Sequence, residues 1–225
     1  MIRINVPSEL KEITLRQYQS YVKVLEQNPT VTQFLKHKTI EIFCGLELRT
    51  IDKLPKADVD SIYEILRKMI DEEVASFQQT FKFKGKEFGF IPNFESITSG
   101  EFIDISNYIN SWDSMHRAMA VMFRPIEIKM KERYLIEPYE SSDKYANDML
   151  DLPLDKTLGA VFFLVNSFKI LLSGLESYLE DQITMNPELK KNLATVGGGI
   201  NQSTTSLREI FSILNQLPNR TLMPS

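Results

Sequence analysis

The segment from residue 81 to residue 139 constrains the fold more than any other part of the chain, because its hydrophobic period changes twice. Aromatic and polar residues alternate over Phe81–Lys84, and a second run follows at Phe88–Ile91, as is typical of strands that bury one face. Gly85–Lys86 lies between these runs and favours a tight turn. We therefore predict a β-hairpin near residues 81–91.

A second hairpin is predicted near residues 126–137. Ile126–Met130 and Tyr134–Ile136 alternate in the same way, and Lys131–Arg133 supplies the turn between them. Two predicted helices separate the hairpins along the chain. This order favours pairing of the hairpins into one small antiparallel sheet that packs against the helices.

The two helices between the hairpins have different signatures. Ser99 is the N-cap candidate of the first, in which Ile103, Tyr108 and Ile109 are expected to face inward. The second is rich in methionine and aromatic residues, namely Trp112, Met115, Met119, Met122 and Phe123. Such a composition favours an adaptable core surface over a cofactor pocket.

The residues before the first hairpin predict three more helices. Thr14 is the N-cap candidate of one, and Asn28-Pro29 ends it. A second begins near Thr32 and ends at Gly45, and a third follows Pro55. The predicted fold class is therefore α+β and mainly α-helical, with a helical core and two short hairpins.

The most strongly apolar helix is predicted over Leu154–Gln182, with Asp151 as its cap and Pro153 in its first turn. Its middle is apolar almost all round, which is typical of a helix in a core or between subunits. The run Leu158–Leu172 is too short and too polar to span a bilayer, so no membrane span is expected. We assign residues 1–185 to one globular domain.

The remaining residues, 186–225, are predicted to form a flexible arm. Gly197–Gly199 is typical of a linker, and Thr205–Leu214 has the pattern of an amphipathic helix. The candidate partner-docking residues on that helix are Leu207, Ile210, Phe211 and Leu214.

The two histidines are the first candidates for chemistry. His37 shares a helix face with Glu41, which makes a partial metal site or an exposed helical pair, and the second is favoured because no further ligand has the right spacing. His116 shares a face with Asp113, but no serine nucleophile motif accompanies them. Cys44, the only cysteine, lies at a helix end that disfavours its thiolate.

Carboxylate pairs also occur at helical spacing. No partner acid on another element can be identified for either pair, Glu101 with Asp104 or Asp148 with Asp151. We therefore interpret these carboxylates as charges at helix ends. We therefore expect no catalytic residue, no cofactor, no metal and no small-molecule substrate. The protein is predicted not to be an enzyme.

The first hairpin also interleaves basic and aromatic residues. Lys82, Lys84 and Lys86 alternate with phenylalanines as in platforms that bind single-stranded nucleic acid. The net charge of −4 and the pI near 5.4 favour the simpler interpretation that the strand buries phenylalanine and solvates lysine. Nucleic-acid contact remains open but is not indicated.

Short motifs recur through the central segment, at Ile91–Asn93, Ile97–Asp104, Val121–Ile126 and Ile136–Tyr139, and Ile13–Tyr18 forms another near the start. These motifs resemble those of a group of tailed-bacteriophage tail or virion proteins, and Ile13–Tyr18 is similar to the start of such proteins. The group includes proteins of crAss-like phages, and some of its members are described as tail assembly chaperones. The resemblance extends from Thr14 to Leu172, and no functional residue can be transferred, because the sites of the group are undefined.

The resemblance implies a non-enzymatic virion component of the tail or neck region, structural or packaged as cargo. Such a protein is made in the host cytoplasm and contacts other virion proteins in multiple copies. The same resemblance allows a chaperone that binds a tail protein and is absent from the mature virion. A nucleic-acid-binding phage protein is a third interpretation. The arm at 186–225 favours the virion component, because such arms commonly gain order by docking on a neighbour.

Overall fold

The computed structural model describes residues 4–72, 75–93, 96–131, 133–167 and 170. Within these ranges the protein is mainly α-helical and has a small four-stranded antiparallel sheet, which confirms the predicted fold class. The helices are α1 (Leu15–Gln27), α2 (Gln33–Cys44), α3 (Leu48–Ile51), α4 (Lys56–Glu72), α5 (Ser99–Tyr108), α6 (Met115–Met122), α7 (Asp143–Met149) and α8, described over 154–167. The strands are β1 (Thr80–Phe83), β2 (Lys86–Phe90), β3 (Phe123–Met130) and β4 (Arg133–Ile136).

Helices α1 and α2 begin and end where local signals predict. The Thr14 hydroxyl accepts from the Gln17 backbone N–H, and the Gln17 side chain accepts from the Thr14 backbone N–H, which completes a capping box. Thr32 caps α2 through the Leu35 N–H at 3.2 Å, and Gly45 ends it in the left-handed region at a φ of 65°. The one-turn helix α3 was not predicted, because four residues cannot show a helical period.

The start of α5 differs from the prediction by one residue. Thr98, not Ser99, is the N-cap: its hydroxyl accepts from the Glu101 N–H, and the Glu101 carboxylate accepts from the Thr98 N–H at 2.7 Å. Threonine and serine can both cap a helix by this geometry, so two adjacent candidates are hard to separate from sequence.

The inward face of α5 also differs in part from the prediction. Ile109 is buried as expected and Tyr108 is half-buried, but Ile103 is exposed. The buried face instead follows Glu101, Ile105 and Tyr108, which are spaced by four and then three residues. Glu101 is buried because it forms an ion pair with a buried partner. A hydrophobicity pattern cannot reveal such a pair.

The two hairpins form one sheet in the order β1-β2-β3-β4, as predicted. The central pairing joins β2 to β3, with Phe88 opposite Pro125 and Phe90 opposite Phe123. The first turn is one residue earlier than predicted, at Lys84–Gly85, where φ is 47° and 79°. Two positive φ angles are typical of the type I′ turn that matches strand twist.

Aromatic side chains from the sheet form the centre of the core. Phe81, Phe88, Phe90 and Phe123 are all buried, and Phe81 packs on Phe123 with ring centroids 4.9 Å apart. The methionine and aromatic side chains predicted for core packing are buried as well: Trp112, Met115, Met119, Met122 and Phe123. One continuous cluster links the N-terminal helices to the sheet.

Helix α8 begins where predicted, but Asp151 does not cap it. The Asp151 carboxylate binds Lys84 at 2.8 Å and Arg16 at 3.2 Å, while the Leu154 N–H donates to the Ile13 carbonyl. Pro153 precedes the helix and forms an isolated β-bridge with Thr14. The start of α8 is therefore held by the segment before α1 rather than by its own cap.

The predicted C-terminal arm lies outside the described residues. This includes the linker glycines, the boundary at residue 186, and the docking residues Leu207, Ile210, Phe211 and Leu214.

Candidate interaction surface on the second hairpin

The hairpin formed by β3 and β4 continues past the rest of the sheet. Strand β2 pairs with β3 only over Phe123–Pro125, so the later residues of β3 have β4 as their ladder partner. Glu127 is the extra residue of a β-bulge between Ile126 and Ile128. A bulge of this kind changes which face the following side chains occupy.

One face of this hairpin extension is apolar and exposed. The register pairs Ile128 with Leu135 and Met130 with Arg133, and directly opposed residues lie on the same face. Ile128 is 51%, Leu135 is 58% and Met130 is 71% exposed to solvent. Three large apolar side chains are thus presented together at the end of a two-stranded ribbon.

A groove of about 690 Å³ lies against this face. Its lining residues come from the hairpin and from the segments that flank β1 and β2: Gln79, Pro92, Asn93, Ser96, Ile128, Met130, Arg133, Tyr134 and Leu135. This volume lies within the roughly 300–1,000 Å³ typical of sites that bury a ligand or a few side chains.

Tyr134 fixes the hairpin to the sheet. Its hydroxyl donates to the Phe90 carbonyl at 2.7 Å, and burial raises the pKa of this phenol. Its ring lies so close to Gly89 that a Cβ there would be 2.5 Å from Cε2. Gly89 is therefore needed for this close approach, and the base of the groove is held in place by the rest of the fold.

The chemistry available in the groove is that of a contact surface. Among the described lining residues, Arg133 is the charged side chain, and it forms no ion pair with a described residue. The other groups are apolar side chains, amides and hydroxyls. Strand β4 also lies at an edge of the sheet, where unpaired backbone groups can bind an extended segment.

Each of the two histidines contacts a side chain other than the carboxylate predicted from helix spacing. His37 Nδ1 lies 3.1 Å from Asp52, while Glu41 pairs with Lys38, so His37 and Glu41 do not form the partial metal site. His116 Nδ1 lies 3.1 Å from the Gln19 amide, and burial lowers the pKa of its imidazole. Asp113 instead pairs with Lys23 at 3.1 Å.

Glu101 has the helix-end role that was expected, since it completes the capping box of α5, and it also has a partner on another element. Glu101 pairs with Arg124 at 2.6 Å, and both side chains are less than one-tenth exposed. Asp104 accepts from the Tyr139 hydroxyl. Asp148 and Asp151 both bind the Lys84 ammonium at 2.8 Å.

The basic and aromatic alternation of the first hairpin is mainly a burial pattern. Phe81 is buried and Phe83 is partly buried, whereas Lys82 and Lys86 are exposed. Lys84 is held by two carboxylates, which raise the pKa of its ammonium. That ion pairing removes one of the three lysines from any platform for phosphates.

Cys44 is half-buried at the end of α2, and burial raises the pKa of its thiol to about 11. At this pKa the thiol is protonated at neutral pH, as expected for a packing residue rather than a nucleophile.

The groove itself was missed by the sequence analysis. The predicted strand pattern placed Ile128, Met130 and Leu135 correctly on alternating positions, but alternation normally indicates that the apolar face is covered. The bulge and the short pairing with β2 leave this face uncovered, and neither has a local sequence signal here.

Within the described ranges, no group of three or more histidine, cysteine, aspartate or glutamate side chains has an arrangement able to hold a metal ion. No helix in those ranges combines the length and the apolarity that spanning a bilayer requires. No protein-family model, curated protein or solved structure matches the chain.

Proposed function

We propose that this protein is a non-enzymatic component of a tailed-phage particle, located in its tail or neck region as a structural or cargo protein. In this proposal it is made in the host cytoplasm, is incorporated in multiple copies, and contacts other virion proteins. The proposal is supported by the motif resemblance over residues 91–139 and by the exposed groove on the second hairpin.

The observation that carries the proposal is the exposed apolar face of Ile128, Met130 and Leu135. Isolated apolar side chains on a surface are ordinary, but a grouped set that lines a groove is typical of a protein-contact site. Its position on a rigid extension anchored by Tyr134 suits repeated docking against a neighbour.

The contacts of the titratable residues support a non-enzymatic role. His37, His116, Glu101 and Asp104 each bind a side chain whose evident role is structural. Catalytic groups need to converge on a space that a substrate can enter. The groove on the second hairpin brings none of these four residues together.

An assembly chaperone is the second candidate, and the same groove favours it. A groove lined by apolar side chains and an open strand edge is also suited to hold a segment of an unassembled tail protein. The two candidates differ in whether the protein stays in the finished particle.

The experiment is quantitative mass spectrometry of purified phage particles. A fixed copy number per particle supports the virion component, whereas presence in infected cells but absence from particles supports the chaperone. Absence of the protein from infected cells as well as from particles contradicts both candidates.

The groove is tested in the same particles by changing Leu135→Asp. We expect incorporation to fall at least about tenfold, because a charge in a buried contact is strongly unfavourable. Ile65→Asp is the matched control, since Ile65 is 50% exposed on α4 and away from the groove. Equal incorporation of both variants would show that the groove is not the contact surface.

A nucleic-acid-binding role is the weakest candidate. Lys84 is already paired with two carboxylates, and the net charge is −4. If these lysines only contact solvent and form ion pairs, changing Lys82, Lys84 and Lys86 together to glutamine should not alter binding to single-stranded nucleic acid at low salt. Salt-dependent binding that this variant abolishes would revive the candidate.

A further inference from the structure

Strand β4 ends the strand order of the sheet and has β3 as its ladder neighbour. Edges of this kind are commonly protected by a bulge or a proline, but the bulge of this hairpin lies on β3, and Arg133–Ile136 contains no proline. We propose that this edge pairs with the same edge of a second copy of the chain, antiparallel and about a two-fold axis at Leu135. The inference rests on the proposed function in taking the hairpin as a contact surface, and it names a second copy as the neighbour.

The backbone of β4 has free directions that suit this pairing. The Glu137 N–H donates to the Pro125 carbonyl, so the backbone groups of Glu137 point toward β3. These directions alternate along an antiparallel strand. Leu135 therefore also points its backbone groups toward β3, whereas Tyr134 and Ile136 point theirs to the side away from β3. In the proposed dimer Tyr134 of each copy pairs with Ile136 of the other, and each such pair exchanges two hydrogen bonds.

The apolar side chains match in this register. Leu135 lies directly opposite Leu135 of the second copy, and Ile128 is the neighbour of Leu135 on the same face of the hairpin. The two copies therefore align these side chains in one row across four strands, where directly opposed apolar side chains stabilise a sheet. Ile128 is 51% and Leu135 is 58% exposed in the single chain, so the pairing covers side chains that solvent now contacts.

The charges on the two sides of Leu135 are opposite in sign. Arg133 has no described acidic partner, and in this register it lies opposite Glu137 of the second copy. Glu137 and Glu140 share the Lys144 ammonium at 2.6 and 3.2 Å, so two carboxylates face one cation. The guanidinium of the second copy balances the remaining negative charge, and the two-fold axis forms this contact twice.

These side chains also select the register. A shift of two residues in one direction places Leu135 opposite Arg133, and a shift in the other direction places it opposite Glu137. Both alternatives put a charge against an apolar side chain and separate the opposite charges. A pattern of cation, apolar residue and anion at alternate positions is complementary to itself only when the two-fold axis passes through the apolar residue.

The first test is oxidation of single-cysteine variants of the chain with Cys44→Ala as background. The Cα atoms of a pair that is not hydrogen-bonded lie about 4.5 Å apart, which is within the range that a disulfide bridges. Leu135→Cys should therefore form a disulfide-linked dimer at least about tenfold faster than Ile65→Cys, as measured by non-reducing gel electrophoresis. Ile65 is the matched control, since it is 50% exposed and lies on α4.

The second test is sedimentation equilibrium of the isolated protein without new cysteines. The wild type should show a concentration-dependent equilibrium between monomer and dimer. Arg133→Glu places two carboxylates opposite each other and should lower the association constant at least about tenfold. Arg67→Glu is the control, because Arg67 is an exposed side chain on α4, and it should leave the association constant unaltered.

Three outcomes overturn the proposal: a wild type that stays monomeric, equal oxidation rates in the two cysteine variants, or an Arg133→Glu variant that associates as well as the wild type. These outcomes are separate from failure of the proposed function. A monomeric protein whose incorporation into particles depends on Leu135 shows that another virion protein occupies the surface, which overturns the dimer alone. A dimeric protein that is absent from infected cells and particles overturns the proposed function alone.

Discussion

At the scale of single residues, the buried pair of Glu101 and Arg124 is the most consequential contact. One Glu101 oxygen binds Arg124 at 2.6 Å, while the other accepts from the Thr98 N–H and hydroxyl. Arg124 also donates to the Val121 carbonyl and lies 5.4 Å from the centre of the Tyr139 ring. The pair thus joins the start of α5 to the junction between α6 and β3.

Glu101→Gln should lower the free energy of unfolding by about 3–5 kcal/mol, because it leaves the Arg124 charge buried without its partner. Urea unfolding followed by circular dichroism measures this change. Glu64→Gln is the control, since Glu64 forms an exposed ion pair with Arg67, and there we expect less than about 1 kcal/mol. A similar small change in both variants would show that the pair is not a main source of stability.

The same pair predicts a pH dependence. Burial alone raises the pKa of Glu101, but its hydrogen bonds with Thr98 and its pairing with Arg124 outweigh burial, so the pKa is below its ordinary 4.5. The stability from Glu101 is therefore full above about pH 4.5 and is lost as the pH falls through the folded-state pKa. The difference in unfolding free energy between the wild type and Glu101→Gln should be constant above that pH and shrink below it.

Gly159 is a second residue at which close packing should decide how a substitution changes stability. A Cβ there would lie 2.5 Å from the Ser76 carbonyl oxygen, which is backbone and cannot move aside. Gly159→Ala should destabilise the protein by about 1–3 kcal/mol through overpacking, as measured by thermal unfolding. Gly100→Ala in α5 is the control, because its nearest neighbour would be 3.6 Å away, and it should be neutral or slightly stabilising. Equal effects would contradict the close approach of α8 to residue 76.

At the scale of elements, the second hairpin has both an unusual turn and an uncovered face. Lys131 in its turn has a φ of 55°, which is unfavourable for a lysine and well tolerated by asparagine. The first hairpin has Gly85 at one of its two positive angles and Lys84 at the other, so each hairpin places one lysine in this unfavourable region.

Lys131→Asn should stabilise the hairpin by about 0.5–1 kcal/mol, because asparagine adopts the left-handed region at lower cost. Slower amide exchange in β4 and a raised midpoint of thermal unfolding measure the effect. Lys82→Asn is the control: Lys82 is exposed within strand β1, where asparagine is unfavourable and no gain is expected. A loss of stability on changing Lys131 would contradict the strain assigned to this turn.

At the scale of the whole molecule, the described helices and the sheet share one buried apolar cluster. Its described members run from Leu10 to Val165. The predicted arm at 186–225 lies outside the described residues, so its deletion removes none of these side chains.

Deletion of residues 186–225 should therefore leave a protein that unfolds cooperatively in urea. We expect an unfolding free energy within about 1 kcal/mol of that of the full chain. Loss of the cooperative transition would show that the arm belongs to the core.

Local features of this protein were predictable from sequence because they depend on neighbouring residues. The caps at Thr14 and Thr32, the end of α2 at Gly45 and both hairpins follow from backbone geometry and side-chain period within a few positions. The N-cap of α5 and the first turn each differ by one residue from the prediction. These differences are also local, since adjacent residues offer nearly equal alternatives.

The sequence by itself determined most helix ends and the strand pairing within each hairpin, because these depend on short-range energetics, and the order of these elements indicated the fold class. Only the tertiary structure decided that Glu101 meets Arg124, that Lys84 is held by Asp148 and Asp151, and that the second hairpin presents a groove. Each of these depends on which elements pack together across many intervening residues. No local pattern encodes that choice, so the apolar face of the hairpin could be predicted and its exposure could not.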